Sequence, residues 1–256
     1  MSPTPWLQFA GRTLYLEDIP ALLERSQLLK PLIRRLLLES CISQISVSEE
    51  DQRAFQQRFL SHEGISSPDE LSRWLKSRGL SEVEASQNIL ESLKLDRFKI
   101  DQFGGDVEKI FFETKDLRDR VVYSLLRIND SAAASELYLR LEEGDATFTE
   151  LSQEHSVGPE RETGGLIGPV PMGRLNPRLA EMLRIGAQGQ LWRPIEIDGF
   201  WVIVRLDKRI PAQLDKAMEK QIRDECFERW VQQQLDQFMA AYSDAVQRSQ
   251  EKEQPS

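Results

Sequence analysis

Residues 119–130 read DRVVYSLLRIND, and this stretch decides the fold class. β-Branched and aromatic residues crowd it, and Val122, Ser124 and Leu126 alternate with Val121, Tyr123 and Leu125, which is the period of a strand. Before it, from Ile19 to Lys99, apolar residues recur at helical spacing, as in Leu22, Leu29, Ile33, Leu36 and Leu37. The class therefore changes near residue 118, and an α+β protein is expected. Its divisions are a helical domain over 1–117, a small antiparallel sheet flanked by helices over 118–211, a long C-terminal helix over 212–248 and a flexible tail over 249–256.

The helical half carries its own punctuation. Ser48 precedes an acidic first turn at Glu49, Glu50 and Asp51, and Ser67 with Pro68 and Glu70 reads as an N-cap with proline at the first helical position. Arg78 and Gly79 end that helix, and Ser81 with Glu84 forms a capping-box pattern for the next. Phe103 to Asp116, with Gly104 and Gly105, reads as a connector whose aromatic residues dock one domain on the other.

Beyond the strand, Ala132–Glu143 and Thr149–His155 read as helices, followed by a loop rich in Gly and Pro and by a helix over Pro177–Ile185 closed by Gly186. Residues 193–209, RPIEIDGFWVIVRLDKR, set Asp198-Gly199 between two apolar runs, a strong hairpin signal. Leu214 to Arg248 is amphipathic. Its stripe of Leu214, Met218, Ile222, Cys226, Trp230 and Leu235 is too large to leave in water, so it is expected to pack on the helical half.

At 256 residues with 40% hydrophobic and 29% charged residues, the chain has the composition of a folded globular protein. A net charge of −9 works against binding nucleic acid. No apolar run approaches the roughly 20 residues that a membrane helix needs, so membrane insertion is not expected. The first twenty residues show no readable secretory signal, and a cytoplasmic location is expected. Cys41 and Cys226 fit no metal spacing and read as two buried reduced thiols, and neither a metal nor a cofactor is expected.

From Arg120 to Leu206 the chain resembles the parvulin (rotamase) family. The resemblance is carried by Leu141-Glu-Glu-Gly144, Phe148-Thr-Glu-Leu-Ser152 and His155-Ser156, then by Gly164-Gly165-Leu-Ile-Gly168 and Leu175-Asn-Pro177. Gly189 to Pro194 and Gly199-Phe-Trp-Val-Ile203 complete it. The helical half and the terminal helix around such a domain look like the SurA and PrsA type of chaperone. Within the family, the chain most resembles cyanobacterial peptidylprolyl isomerases without signal peptides.

The resemblance implies a peptidylprolyl isomerase and folding chaperone that acts on Xaa-Pro bonds of unfolded or extended, proline-containing clients. It places the proline pocket under the segment Leu175–Leu183. Leu175 and Leu179 stand where the family commonly has Met and Phe, and Ser124 and Trp201 stand where it has its pair of histidines. Ser124 and Trp201 are thus the candidate catalytic positions, with Leu175, Leu179, Leu126 and Ile203 as candidate substrate contacts. A Ser124 hydroxyl between Val122 and Leu126 either bonds a pocket neighbour or costs about 1–3 kcal/mol if left dry. Leu179 reads equally as a core leucine. The family also carries Cys or Asp in the loop after the serine matching Ser156, where this chain has Val157, Gly158 and Pro159 with Glu160 and Glu162 nearby. His155 reads as structural or solvent-facing. The alternative function is a chaperone or adaptor that keeps the peptide groove with little catalysis, or serves the maturation or export of one client.

Overall fold

The computed structural model describes residues 4–253, the side chains of 246, 247 and 249–253 excepted. It contains strands β1 (Pro5–Phe9) and β2 (Arg12–Tyr15), then helices α1 (Ile19–Arg25), α2 (Leu29–Ser43), α3 (Glu49–His62), α4 (Pro68–Arg78), α5 (Glu82–Phe103) and α6 (Val107–Arg118). Strand β3 (Arg120–Ile128), helices α7 (Ser131–Glu143) and α8 (Phe148–His155), β4 (Leu166–Pro171), α9 (Pro177–Ile185), β5 (Leu191–Ile197), β6 (Phe200–Ile210) and α10 (Lys216–Glu253) follow. Two compact units result. One holds the residues up to Val107 and those from Glu219 onward, and the other is Glu108–Met218.

In the first unit, the Ser67 and Ser81 caps close as expected: each hydroxyl accepts from the N–H three residues on, and Glu70 and Glu84 reach back. The Ser48 hydroxyl caps α3 through Asp51 N–H. The terminal helix packs here. Phe227, Val231 and Leu235 lie at four-residue spacing and bury against Ile33, Leu37, Leu95, Phe98 and Phe103, with Trp230 stacked on Phe227 at 6.1 Å. Of the expected stripe, Ile222 and Leu235 are buried and Trp230 packs on this cluster, while Cys226 is half-buried and Leu214 precedes the helix.

Several expectations change. Residues 103–116, read as a connector, are largely helical: Gly104–Asp106 makes one tight turn, and α6 follows with Val107 and Phe111 buried four residues apart. Phe103 belongs to the first unit's aromatic cluster, and Phe112 is exposed. The first sheet residues, β1 and β2, form a hairpin with no counterpart in the sequence reading, because five exposed residues give no burial pattern. Helix α10 extends to Glu253 through part of the expected tail, of which 254–256 lie outside the described residues.

The second unit is a four-stranded antiparallel sheet in the order β4-β3-β6-β5. β4 lies in the expected loop. Its glycine and prolines obscured it, yet proline is tolerated on an edge strand, where one side of the backbone needs no partner. Asp198 and Gly199, at φ 52° and 81°, turn β5 into β6 with Ile197 paired to Phe200. Gly165 at φ 85° lets its carbonyl accept from Leu125 N–H at 2.8 Å, and a Cβ there would sit 2.9 Å from the Leu125 oxygen.

The pleat sorts the core into two layers. Val121, Tyr123 and Leu125 of β3 and Val202, Val204 and Leu206 of β6 pack with Met172 and with Leu179 and Leu183 of α9. On the opposite face, Leu126, Ile128 and Ile203 pack with Ala134, Leu137 and Tyr138 of α7 and Phe148 and Leu151 of α8.

Candidate functional site

The six residues singled out in the sequence do not meet in one place. Ser124 is paired with Arg205 and Trp201 with Ile128, so the two are not cross-strand neighbours. Ser124 donates to Asp207 Oδ2 at 2.6 Å, Arg205 Nη2 approaches the same hydroxyl at 3.3 Å, and Arg205 Nε holds Asp207 Oδ1 at 2.7 Å. The Arg205 guanidinium lies 5.0 Å over the Phe148 ring of α8. Ser124 is therefore a satisfied hydroxyl on the α7/α8 face.

Leu126 and Ile203 are sealed on that same face at 0% exposure, and Trp201 packs against their cluster. Leu175 and Leu179 belong to the α9 face. The expected grouping is corrected for a simple reason: successive residues of a strand point to opposite faces, and a shift of one position moves a side chain across the sheet. The residues that share a face with Leu179 are Tyr123, Leu125, Val202 and Phe200.

Beside this apolar face lies a buried polar cluster. The Glu160 side chain is 1% exposed, and its Oε1 accepts a 2.6 Å hydrogen bond from Ser156 Oγ. The Ser156 oxygen in turn accepts from Arg127 N–H at 3.2 Å, and Arg127 Nη2 stands 3.6 Å from Glu160 Oε2. The Arg127 guanidinium also lies 5.5 Å over the Phe200 ring. The turn Pro159–Thr163 fixes the Glu160 backbone, whose carbonyl accepts from Gly165 N–H and from the Ser152 and Thr163 hydroxyls. Gly158 is glycine for lack of room, since a Cβ there would run into both carboxylate oxygens of Glu160. The carboxylate thus occupies the space that a side chain at 158 would take.

Tyr123 connects the two parts. It is 4% exposed within the apolar cluster, and its phenol is pushed above the usual tyrosine range first by burial and then by the negative charge of Glu160, with Arg127 opposing. Among the described residues its hydroxyl has no hydrogen-bond partner, yet it is not sealed from solvent. The rim beside it holds half-buried Leu175, Ile167 and Phe200. The arrangement sets half-buried apolar side chains on the same face as a phenol donor and an ion pair whose carboxylate is buried.

The alternation of β3 contained the information that Tyr123 and Arg127 face away from Ser124. Glu160 carried no signal, because a charged turn looks solvated until its long-range partners are known. His155 ends α8 with Nε2 buried, 3.5 Å from Glu154 but without a hydrogen bond, and His62 lies exposed in the first unit. Cys41 is a buried free thiol, and no cluster of three or more metal-ligating side chains occurs among the described residues.

Comparison with known proteins agrees with this domain. Residues 105–208 match the family model described as "Rotamase: PPIC-type PPIASE domain". A Chaperone SurA of Colwellia psychrerythraea is 33% identical over 70 residues, 27% of this chain and 16% of that one. A Chaperone SurA of Nitrosococcus oceani is 29% identical over 129 residues, 47% of this chain and 30% of that one. The chain thus spans less than a third of the length of these curated relatives. Among solved structures, the peptidylprolyl isomerase PrsA of Bacillus anthracis aligns with 83% of this chain and 97% of its own at 18% identity and a TM-score of 0.42. Residues 105–208, with their four-stranded antiparallel sheet, are a parvulin-type rotamase domain of the PPIC class.

Proposed function

We propose that this domain catalyses cis–trans isomerisation of Xaa-Pro bonds in extended polypeptide segments and that the whole chain is a folding chaperone for such clients. The barrier to rotation, about 18–20 kcal/mol, comes from amide resonance, so a catalyst needs no covalent step and no cofactor. It needs an apolar seat for the proline ring and polar groups that favour the twisted amide. The observation that carries the reading is the pairing of the Leu175 and Phe200 rim with the Tyr123, Arg127 and Glu160 group on one face of the sheet. Both relatives named above are called chaperones, which supports a client-binding role for the helices outside the domain.

The second reading, a peptide-binding adaptor with slow turnover, is favoured by how tightly the face closes: Leu125, Leu179 and Val202 are at most 6% exposed. For the compartment we propose the cytoplasm, with the buried, free Cys41 thiol as support. The test is relaxation of short Xaa-Pro peptides after a solvent jump, alongside suppression of aggregation of an unfolded client. Accelerated relaxation is expected. An uncatalysed rate across the whole peptide set with aggregation still suppressed supports the adaptor, and a failure of both ends the proposal.

A further inference from the structure

The polar group beside the apolar cluster of the α9 face, built round the Glu160 carboxylate, has three side-chain donors, and two of them are already engaged. Ser156 is bonded to Glu160, and Arg127 is shared between the Glu160 carboxylate and the Phe200 ring. The third, Tyr123, has a ring held among Leu125, Leu179 and Val202 and a hydroxyl that meets no protein partner among the described residues. A buried phenol ordinarily finds a partner, because leaving the hydroxyl dry is costly. Here the residue is 4% exposed and its hydroxyl is not fully enclosed, which leaves its bonding capacity to a bound molecule.

We infer that the Tyr123 hydroxyl is the catalytic hydrogen-bond donor of this domain, bonding the prolyl nitrogen of a bound Xaa-Pro segment as the amide twists. The inference rests on the isomerase reading given above. In the planar amide the nitrogen lone pair is delocalised into the carbonyl, and the nitrogen is no acceptor. Rotation returns the pair to nitrogen, which then accepts the O–H; the proton stays on the tyrosine, and no bond to the substrate is made or broken. A hydrogen bond of this kind exists only near the transition state, which is the condition for raising the rate and not merely the affinity. Glu160 and Arg127, tied to each other and to Ser156, act electrostatically on the phenol, and the half-buried Leu175 and Phe200 leave apolar surface for the proline ring.

The decisive variant is Tyr123→Phe, which removes one oxygen and keeps the ring. In the full chain, exchange of a proline tetrapeptide is measured by NMR together with its Kd. We expect kcat/KM to fall about 10- to 100-fold, with Kd unchanged within about twofold, the effect of losing one well-placed donor. Exchange within about twofold of the wild type overturns the inference and leaves the isomerase reading standing. A wild-type protein without catalysis overturns both. Should Tyr123→Phe fail to fold by circular dichroism, ring-fluorinated tyrosine at position 123 decides: a rate that follows the phenol's acidity supports the donor, and an unchanged rate overturns it.

Discussion

The two faces of the sheet carry two polar groups of similar make-up, and they differ in what is left over. On the α7/α8 face, Ser124, Asp207 and Arg205 satisfy one another, and the Arg205 guanidinium lies on Phe148. On the α9 face, Ser156, Glu160 and Arg127 make an equivalent set, with the guanidinium on Phe200, but Tyr123 remains beside them unpaired. A closed network of buried polar groups fixes structure, whereas a buried group without a partner has capacity to bind something else. The difference teaches that serine, carboxylate and arginine together do not mark a functional face; in the proposal above it is the unspent donor that does.

The largest effect that can break this comparison is on stability. Leu126→Ala removes a fully sealed side chain from the α7/α8 layer and is expected to cost about 2–5 kcal/mol in urea unfolding. Leu175→Ala, at the half-buried rim of the other face, should cost far less and weaken peptide binding instead. Equal losses from the two would show that the rim is core and not a seat.

A smaller effect is expected at Ser124. Ser124→Ala leaves Asp207 with its Arg205 partner, so the cost should be about 1–2 kcal/mol. Isomerase turnover of the folded variant should stay at the wild-type level. A variant that folds and has lost turnover would place the working face on the wrong side of the sheet.

The smallest effect concerns pH. Burial and then Glu160 raise the Tyr123 phenol above the usual range, so the folded domain holds this proton where the unfolded chain, ionising at about pH 10, releases it. Stability should therefore be unaffected by Tyr123 below that point and should fall as pH rises from the unfolded towards the folded value. Glu160→Gln removes the second cause and leaves Arg127 pulling the other way, so the phenol should ionise earlier in an ultraviolet titration. An unchanged titration in Glu160→Gln would separate Tyr123 from the polar group and loosen the account of this face.

Much of the fold was legible because local chemistry leaves local marks. The Ser67–Glu70 and Ser81–Glu84 boxes, the stop at Gly79, the strand at Arg120–Ile128 and the Asp198-Gly199 turn each depend on residues within a few positions of one another. The edge strand Leu166–Pro171 was hidden, since its Gly and Pro are breakers by propensity and only pairing with β3 makes the segment extended.

The amino-acid sequence by itself determined that a helical region leads into a rotamase domain and that a long amphipathic helix follows. Caps, turns and hydrophobic period are short-range properties, and the spaced motifs survive without coordinates. Only the tertiary structure decided which side of the sheet faces α9. That choice hangs on strand register and parity, to which a linear reading is blind by one residue, and it sets Ser124 and Trp201 on one face and Tyr123 and Arg127 on the other. The burial of Glu160 was likewise beyond the sequence, because a carboxylate in a charged turn is drawn inside only when a serine, an arginine from another strand and a glycine without a side chain converge on it.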